Sequence, residues 1–244
     1  MKVSIIIPAK NEEASLPPLL NGLRAVLAKT SYPSEILVVN DHSTDRTREV
    51  SLENGAKVVD NPGRGGKGRA LICGFEKAEG EYMIMMDADG SHVPEFIPDF
   101  VTLLDQGYGL VIGSRQLGGS DEYTFLRALG NIFLSGVFNL ITRNHITDVL
   151  NGYKGFKREV FTKFKYKSDE FEIEIELVAN ALKAGYPIGE FACHEKARAG
   201  GEAKSRVVRH GTRFLWKILQ LTIPYRLSGS SKKTPSSGLR PPSP

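Results

Sequence analysis

The sequence predicts an α/β fold built on a mostly parallel sheet with helices on both faces. Short apolar runs alternate with helical patterns through the first half of the chain. The runs are near-continuously apolar, as strands buried on both faces are. Polar residues collect where the runs end, at Asn11/Glu12, Asp41, Asp87/Asp89 and Ser114/Arg115. That is where ligands bind in such sheets.

Val3–Ile7 is a β-branched strand that stops at Pro8. Glu12–Lys29 then places Leu16, Leu19, Leu20, Leu23, Val26 and Leu27 at helical spacing. Ile36–Val39 is the second strand, ending at Asn40-Asp41. Thr44 or Asp45 can cap a helix to Glu53, which Gly55 closes. Val58-Val59 is a third strand, Lys67–Glu79 a helix, and Tyr82–Met86 a fourth strand running into Asp87. Pro94–Gln106 is helical, with proline early and Gly107 just past the end. Leu110–Ile112 is a fifth strand. The second half is less regular. It offers helices over Tyr123–Arg143, Phe171–Ala184 and Arg206–Leu221, with strands at Gly152–Lys157 and Pro187–Cys193. No internal repeat is present.

The 244 residues fit one domain over 1–227, followed by a Ser/Pro/Gly/Lys-rich tail over 228–244 that reads as disordered. Composition is near the globular average, which excludes collagen-like, wholly disordered and heptad-only chains. Two cysteines, Cys73 and Cys193, make no disulfide scaffold and suit a reducing compartment. The net charge of +4 is unevenly spread. From Lys196 onward eleven Lys/Arg face one acid, a net +10, whereas the first 195 residues carry 21 cations against 27 acids, a net −6. A basic arm on an acidic body points to an anionic partner: phosphates, an anionic membrane surface or nucleic acid. No signal peptide is visible, and no run reaches the roughly 18 uncharged apolar residues of a spanning helix. The expectation is a soluble or peripheral protein.

The strongest chemical signal is Met85-Met86-Asp87-Ala88-Asp89-Gly90. Two aspartates one residue apart follow a buried strand, whose alternation points both carboxylates the same way. They can hold a hard cation, Mg2+ or Mn2+, that bridges to nucleotide phosphates and stabilises a departing diphosphate. A solvated loop with a capping aspartate has the same pattern. Ile7-Pro8-Ala9-Lys10-Asn11-Glu12-Glu13 follows the first strand, and Val38-Val39-Asn40-Asp41-His42-Ser43-Thr44-Asp45 the second.

In this order and spacing, the three segments resemble the family 2 glycosyltransferases of the GT-A fold. The nearest likeness is to polyprenyl-phosphate (dolichol-phosphate) mannose and glucose synthases, over roughly residues 1–215. The resemblance implies a Rossmann-like nucleotide-binding domain and a basic C-terminal helix. It also implies roles. Pro8, Ala9, Glu12 and Val39 line the nucleotide pocket, and Asp41 contacts base or ribose. Asp87, Ala88 and Asp89 hold metal and diphosphate. Lys67 lies beside the nucleotide in a Gly-Lys-Gly segment, and Arg115 near the donor phosphates. Arg127 meets the acceptor phosphate. Arg198 and Lys204 belong to a basic loop that closes over the donor. Three positions depart from the family pattern: Ser91 stands where Gln is frequent, Lys10 where an aromatic is, and Gly201-Glu202-Ala203-Lys204 replaces Gly-x-Ser-Lys.

Gly63-Arg64-Gly65-Gly66-Lys67-Gly68 is not a Walker loop, because Gly68 and Arg69 follow the lysine. It reads equally as a flexible turn or as an anion-holding helix start. Asp169 and Glu170 open a helix, where acids suit the dipole. In an inverting transferase either could instead deprotonate an alcohol acceptor. Arg206, Arg209, Arg213 and Lys217 recur at helical spacing beside Trp216. They fit either an anionic membrane surface or a helix docked on the body. Phe125–Ile141 is either a second membrane-facing segment or buried core.

These readings combine into a metal-dependent inverting transferase. It would move a hexose from a nucleotide diphosphate sugar (GDP-mannose or UDP-glucose type) to a polyprenyl phosphate, peripheral to the cytoplasmic face of a membrane. The alternatives are a transferase with a soluble or glycan acceptor and a non-catalytic nucleotide-sugar or nucleic-acid binder. No nucleic-acid-binding module pattern supports the last.

Overall fold

This computed structural model describes residues 2–199 and 207–227, and for residues 207–210 the backbone only. Lys204, Arg206 and the expected tail over 228–244 lie outside the described residues, as does the Arg209 side chain.

Seven strands form one sheet: β1 (Val3–Ala9), β2 (Ser34–Asn40), β3 (Lys57–Asp60), β4 (Tyr82–Met85), β5 (Leu110–Ser114), β6 (Lys154–Lys157) and β7 (Ile188–Ala192). Their order is β3-β2-β1-β4-β6-β5-β7. All neighbours are parallel except β6, which runs antiparallel to both β4 and β5. Helices α1 (Leu16–Leu27), α2 (Thr47–Glu53), α3 (Lys67–Lys77) and α4 (Ile97–Asp105) connect the early strands. Two short helices, α5 (Arg115–Gly118) and α7 (Arg158–Thr162), escape the sequence patterns. The longer helices α6 (Phe125–Thr142), α8 (Ile173–Lys183) and α9 (Val207–Leu227) complete the fold.

Alternation along β1 serves two cores. Ile6 packs into one apolar cluster, with α3, α6, α8 and α9, and Val3, Ile5 and Ile7 into the other, with α1 and α4. Each of these four side chains is fully buried, and such burial contributes about 1.5–3 kcal/mol per residue.

Two helix starts differ from expectation for the same reason. α1 begins at Leu16 rather than Glu12, with Pro17 and Pro18 in its first turn. Proline lacks the N–H that an interior helical position donates, so the first turn suits it best. Pro94–Phe96 likewise forms a 3-10 turn before α4, which carries Pro98 in its own first turn. α9 extends to Leu227, beyond the expected Leu221, and includes Pro224.

The antiparallel β6 decides where the site lies. Lys154 at its start pairs with Met85 at the end of β4 and with Ile112 of β5. An antiparallel strand begins where its parallel neighbours end. The turn over 150–153 is therefore carried to the carboxyl edge of the sheet, beside Asp87.

Candidate active site

The loops after β1, β2 and β4 reach this edge. Pro8 pairs with Val39 and Ala9 with Asn40, and the Asp41 N–H donates to the Ala9 carbonyl (2.8 Å). Glu12 N–H donates to Thr47 Oγ1 (2.8 Å), and Thr44 N–H to Asn11 Oδ1 (2.8 Å), tying the first loop to the second. Asp41 is buried. Its Oδ1 accepts from Asn61 Nδ2 (2.7 Å) and its Oδ2 from the Gly66 N–H (2.9 Å). The expected base-contacting aspartate thus also holds the glycine-rich loop. Gly66 has φ +146°, and a Cβ there would lie 2.4 Å from the Asp169 carbonyl oxygen, so only glycine fits.

β4 ends at Met85, so Asp87 and Asp89 stand on a turn rather than on the strand. Strand alternation does not align them. The Asp87 N–H donates to His92 Nδ1 (2.9 Å), and the imidazole stacks on Tyr153 at 4.7 Å between centroids. Each carboxylate has a cation of its own. Lys67 Nζ is 2.6 Å from Asp87 Oδ1 and 2.9 Å from Glu174 Oε1. Arg198 Nε is 3.4 Å from Asp89 Oδ2. Asp89 Oδ1 also accepts from Ser91 Oγ (2.7 Å) and the Ser91 N–H (3.1 Å). Ser91 therefore supports the second aspartate from the position where the family often has Gln. Burial pushes the Asp87 carboxyl up, but Lys67 outweighs it and holds the group well below the usual carboxylate range. Burial works against the charged form of Lys67; Asp87 and Glu174 outweigh it and hold the ammonium above its ordinary range.

A cavity of about 200 Å³ lies against these groups. Its lining combines the charged Lys67, Asp87, Arg115, Arg127 and Arg198 with the apolar Leu134, Leu150, Phe171 and Phe214. Arg127 projects from the first turn of α6, whose N-cap Thr124 accepts from the Arg127 N–H (3.4 Å).

Other predicted residues stand differently. Arg115 makes a bidentate pair with Asp148, Nε–Oδ2 2.8 Å and Nη2–Oδ1 3.0 Å, and its Nη1 is 3.5 Å from Glu195. The Asp148 side chain is fully buried, and Asn131 Nδ2 also donates to it (2.6 Å). Asp169 pairs with Arg69 (2.8 Å), and its carbonyl accepts from the Gly68 N–H (3.0 Å). Asp169 and Glu170 pack against Gly66 and Gly68 of the glycine-rich loop and are not among the cavity-lining residues, although Phe171 and Glu174 next to them are. The basic helix makes ion pairs with the body. Arg213 pairs with Glu172 (2.5 Å) and Lys217 with Glu176 (3.4 Å), both on or next to α8. Two of the four expected surface cations thus face the body. Large apolar residues are exposed beside them: Phe125, Leu126, Leu129, Ile132, Phe133 and Leu140 on α6, with Trp216, Ile223 and Leu227 on α9. α6 is long and apolar enough to cross a membrane by length and composition, in spite of Arg127. It is held to the body through Asn131, Leu134, Ser135, Phe138 and Thr142.

Glu174, Asp148 and Asn61 escape sequence reading. Glu174 did leave a signal, an acid between Ile173 and Ile175 on a helix buried almost throughout.

Among the described residues no cluster of three or more acid, His or Cys ligands occurs. Mg2+ and Mn2+ sites of this kind need only one or two carboxylates, the substrate phosphates supplying the rest. Arg198, whose Nε has only long ion-pair contacts, 3.4 Å to Asp89 Oδ2 and 3.8 Å to Glu122 Oε2, and no hydrogen bond among the described residues, puts a guanidinium beside Asp89 that suits such a phosphate. Asp87 and Asp89 therefore fit a hard divalent cation held jointly with a diphosphate.

A parallel-rich sheet with paired acids, a glycine-rich loop and cations gathered at its carboxyl edge defines an α/β protein with a polar ligand site at its strand ends. The model of glycosyl transferase family 2 matches residues 4–164, and the chain belongs to that family. It is 29% identical over 228 residues to a dolichol-phosphate mannosyltransferase of Pyrococcus furiosus, covering 90% of this chain and 64% of the relative. It is 31% identical over 185 residues to glycosyltransferase AglJ of Haloferax volcanii, covering 75% of this chain and 59% of the relative. The chain thus spans about three-fifths of the length of these relatives. Glucosyl-3-phosphoglycerate synthase of Mycobacterium tuberculosis, solved with Mn2+, UDP-glucose and phosphoglyceric acid, superposes with a TM-score of 0.73 at 20% identity. That match covers 91% of this chain and 79% of the synthase, and it establishes the GT-A-like fold.

Proposed function

We propose that the protein transfers a hexose, with inversion and with Mg2+ or Mn2+, from a nucleotide diphosphate sugar to a polyprenyl phosphate at a membrane surface. One observation carries this reading. The cavity holding Asp87 and Arg127 is walled by α6 and α9, the two helices whose outer sides expose large apolar residues. A phosphate bearing a long apolar chain suits both features. The name of the Pyrococcus furiosus relative supports it.

In this reading, Pro8, Ala9, Glu12, Val39 and Asp41 shape the nucleotide site. Asp87 and Asp89, with Ala88 between them, hold the divalent cation, which stabilises the departing diphosphate. Lys67, Arg198 and Lys204 add positive charge beside that diphosphate. Arg127 orients the acceptor phosphate, which is already anionic, so its oxygen attacks the anomeric carbon without a general base. The position of Asp169 against Arg69 agrees with that. Arg115 acts one step back, fixing Asp148 and the wall that carries Asn131. A donor panel of GDP-mannose, UDP-glucose and UDP-N-acetylglucosamine with a short polyprenyl phosphate tests the proposal. Product mass identifies both substrates, and no product with any pair overturns the reading.

Arg127→Ala is expected to raise the acceptor KM and leave the donor KM within about twofold. A hydrogen bond to a charged group contributes about 1.5–3 kcal/mol, which is about 10–100-fold in KM. A donor-only defect would remove Arg127 from the acceptor side.

Membrane association is expected to rest more on the apolar face than on charge. Wild-type protein should sediment with vesicles containing anionic lipid and be only partly released by high salt, because salt screens charge and not apolar contact. Combined Phe125→Ser, Leu126→Ser and Leu129→Ser should abolish sedimentation and spare nucleotide binding. Complete release of the wild type by salt would return the weight to the basic residues.

A further inference from the structure

Three charged side chains converge next to the aspartate turn, and one cation serves two anions. Lys67 Nζ lies between Asp87 Oδ1 at 2.6 Å and Glu174 Oε1 at 2.9 Å. Gly152 makes the convergence possible. A Cβ there would stand 3.1 Å from both Lys67 Nζ and Glu174 Oε1, and 3.3 Å from Asp87 Oδ2. Glu174 is nearly fully buried on α8, within a run of core residues, so it cannot swing away. Lys67 sits at the start of α3 on a flexible stem, and its ammonium also lies 5.0 Å from the Phe171 ring centroid. Of the three groups, only the lysine has both the reach and the freedom to change partner.

An ammonium at 2.6 Å occupies the charge that a divalent cation would use on Asp87. The two cations compete for one carboxylate. A metal ion that takes over Asp87 Oδ1 displaces Lys67 from it and, arriving alone, leaves the site two positive charges richer. A nucleotide diphosphate sugar brings two negative charges on its diphosphate, so metal and nucleotide together leave the net charge unchanged. The lysine displaced from Asp87 then has a new anion within reach.

We propose that Lys67 is an exchangeable counter-ion: Asp87 releases it to the incoming divalent cation, and Glu174 keeps it beside the site to meet the diphosphate. Metal and nucleotide therefore bind cooperatively, and metal alone binds weakly. Lys67 is the group that changes partner; Glu174 and Gly152 are positioning residues. The inference rests on the metal-dependent donor reading above.

Mn2+ binding, followed by electron paramagnetic resonance with and without GDP or UDP, tests it. Lys67→Met frees Asp87. It should bind Mn2+ alone about tenfold more tightly than wild type, and bind the nucleotide with Mn2+ about tenfold more weakly, the scale of a close charge pair in a partly wet site. Glu174→Gln leaves Lys67 with Asp87 as its sole carboxylate. It should bind Mn2+ alone more weakly than wild type, and the nucleotide with Mn2+ more weakly too. The opposite signs for Mn2+ alone separate exchange from a structural role, which would weaken metal binding in both variants. Glu174→Gln keeps shape and hydrogen bonding, so it still reports if Lys67→Met does not fold. Unchanged or weaker Mn2+ binding by folded Lys67→Met, or stronger Mn2+ binding by Glu174→Gln, overturns the exchange alone. If Mn2+ has no effect on GDP or UDP binding by the wild type, the donor reading falls and this inference falls with it.

Discussion

Asp89→Asn is expected to lower glycosyl transfer by about 10²–10³-fold, the loss typical when one group stabilising transition-state charge is removed. The fold should survive. An asparagine oxygen can still accept from Ser91 Oγ and the Ser91 N–H, the two hydrogen bonds that hold the turn at 2.7 and 3.1 Å. What disappears is the negative charge beside Arg198. Metal-dependent nucleotide binding should weaken in parallel, while the melting temperature stays close to wild type. Near wild-type turnover in saturating Mg2+ would remove Asp89 from the metal site.

The largest effect on stability is expected from Arg115→Met. Asp148 is fully buried and takes both arms of the Arg115 guanidinium. Burial pushes its carboxyl up, and Arg115 beside it pulls the group below its ordinary value. Methionine leaves that carboxylate with Asn131 and the backbone N–H of residue 115 as remaining donors. Breaking a buried pair from one side costs about 3–5 kcal/mol. In a domain of this size that lowers Tm by about 10 °C. Arg115→Lys should fall between, because an ammonium cannot make the two-armed contact. The measurement is thermal unfolding together with donor affinity of the folded protein. An unchanged Tm with a loss of donor affinity would instead make Arg115 a direct phosphate ligand, as the family resemblance implies.

Much of the fold was legible because its signals are local. Apolar runs such as Val3–Ile7, followed by leucines at helical spacing, need no knowledge of distant residues. The family was legible because three loops after three strands carry their motifs in order. Helix starts were less legible. The leucine periodicity of α1 begins at Leu16, where the helix starts; the earlier start expected at Glu12 had no leucine behind it, and Pro17 and Pro18 hold the first turn where it is.

The chain's own order of residues therefore determined the parallel-rich α/β fold, the edge of the sheet that carries the chemistry, and the aspartate turn within it. Only the tertiary structure decided which charges meet there. Lys67 and Glu174 are far apart in sequence yet 2.9 Å apart in space, and Arg115 and Asp148 meet through a strand, β6, that reverses direction between β4 and β5. It also decided that Arg213 and Lys217 meet Glu172 and Glu176, and that α6 exposes large apolar residues, two points on which the sequence left alternatives open. The reason is physical. Periodicity states which side of a helix is apolar and where a strand ends, because those depend on neighbours within a few residues. Which cation pairs with which anion depends on distances across the fold, and a buried charge is tolerated only where those distances supply a partner.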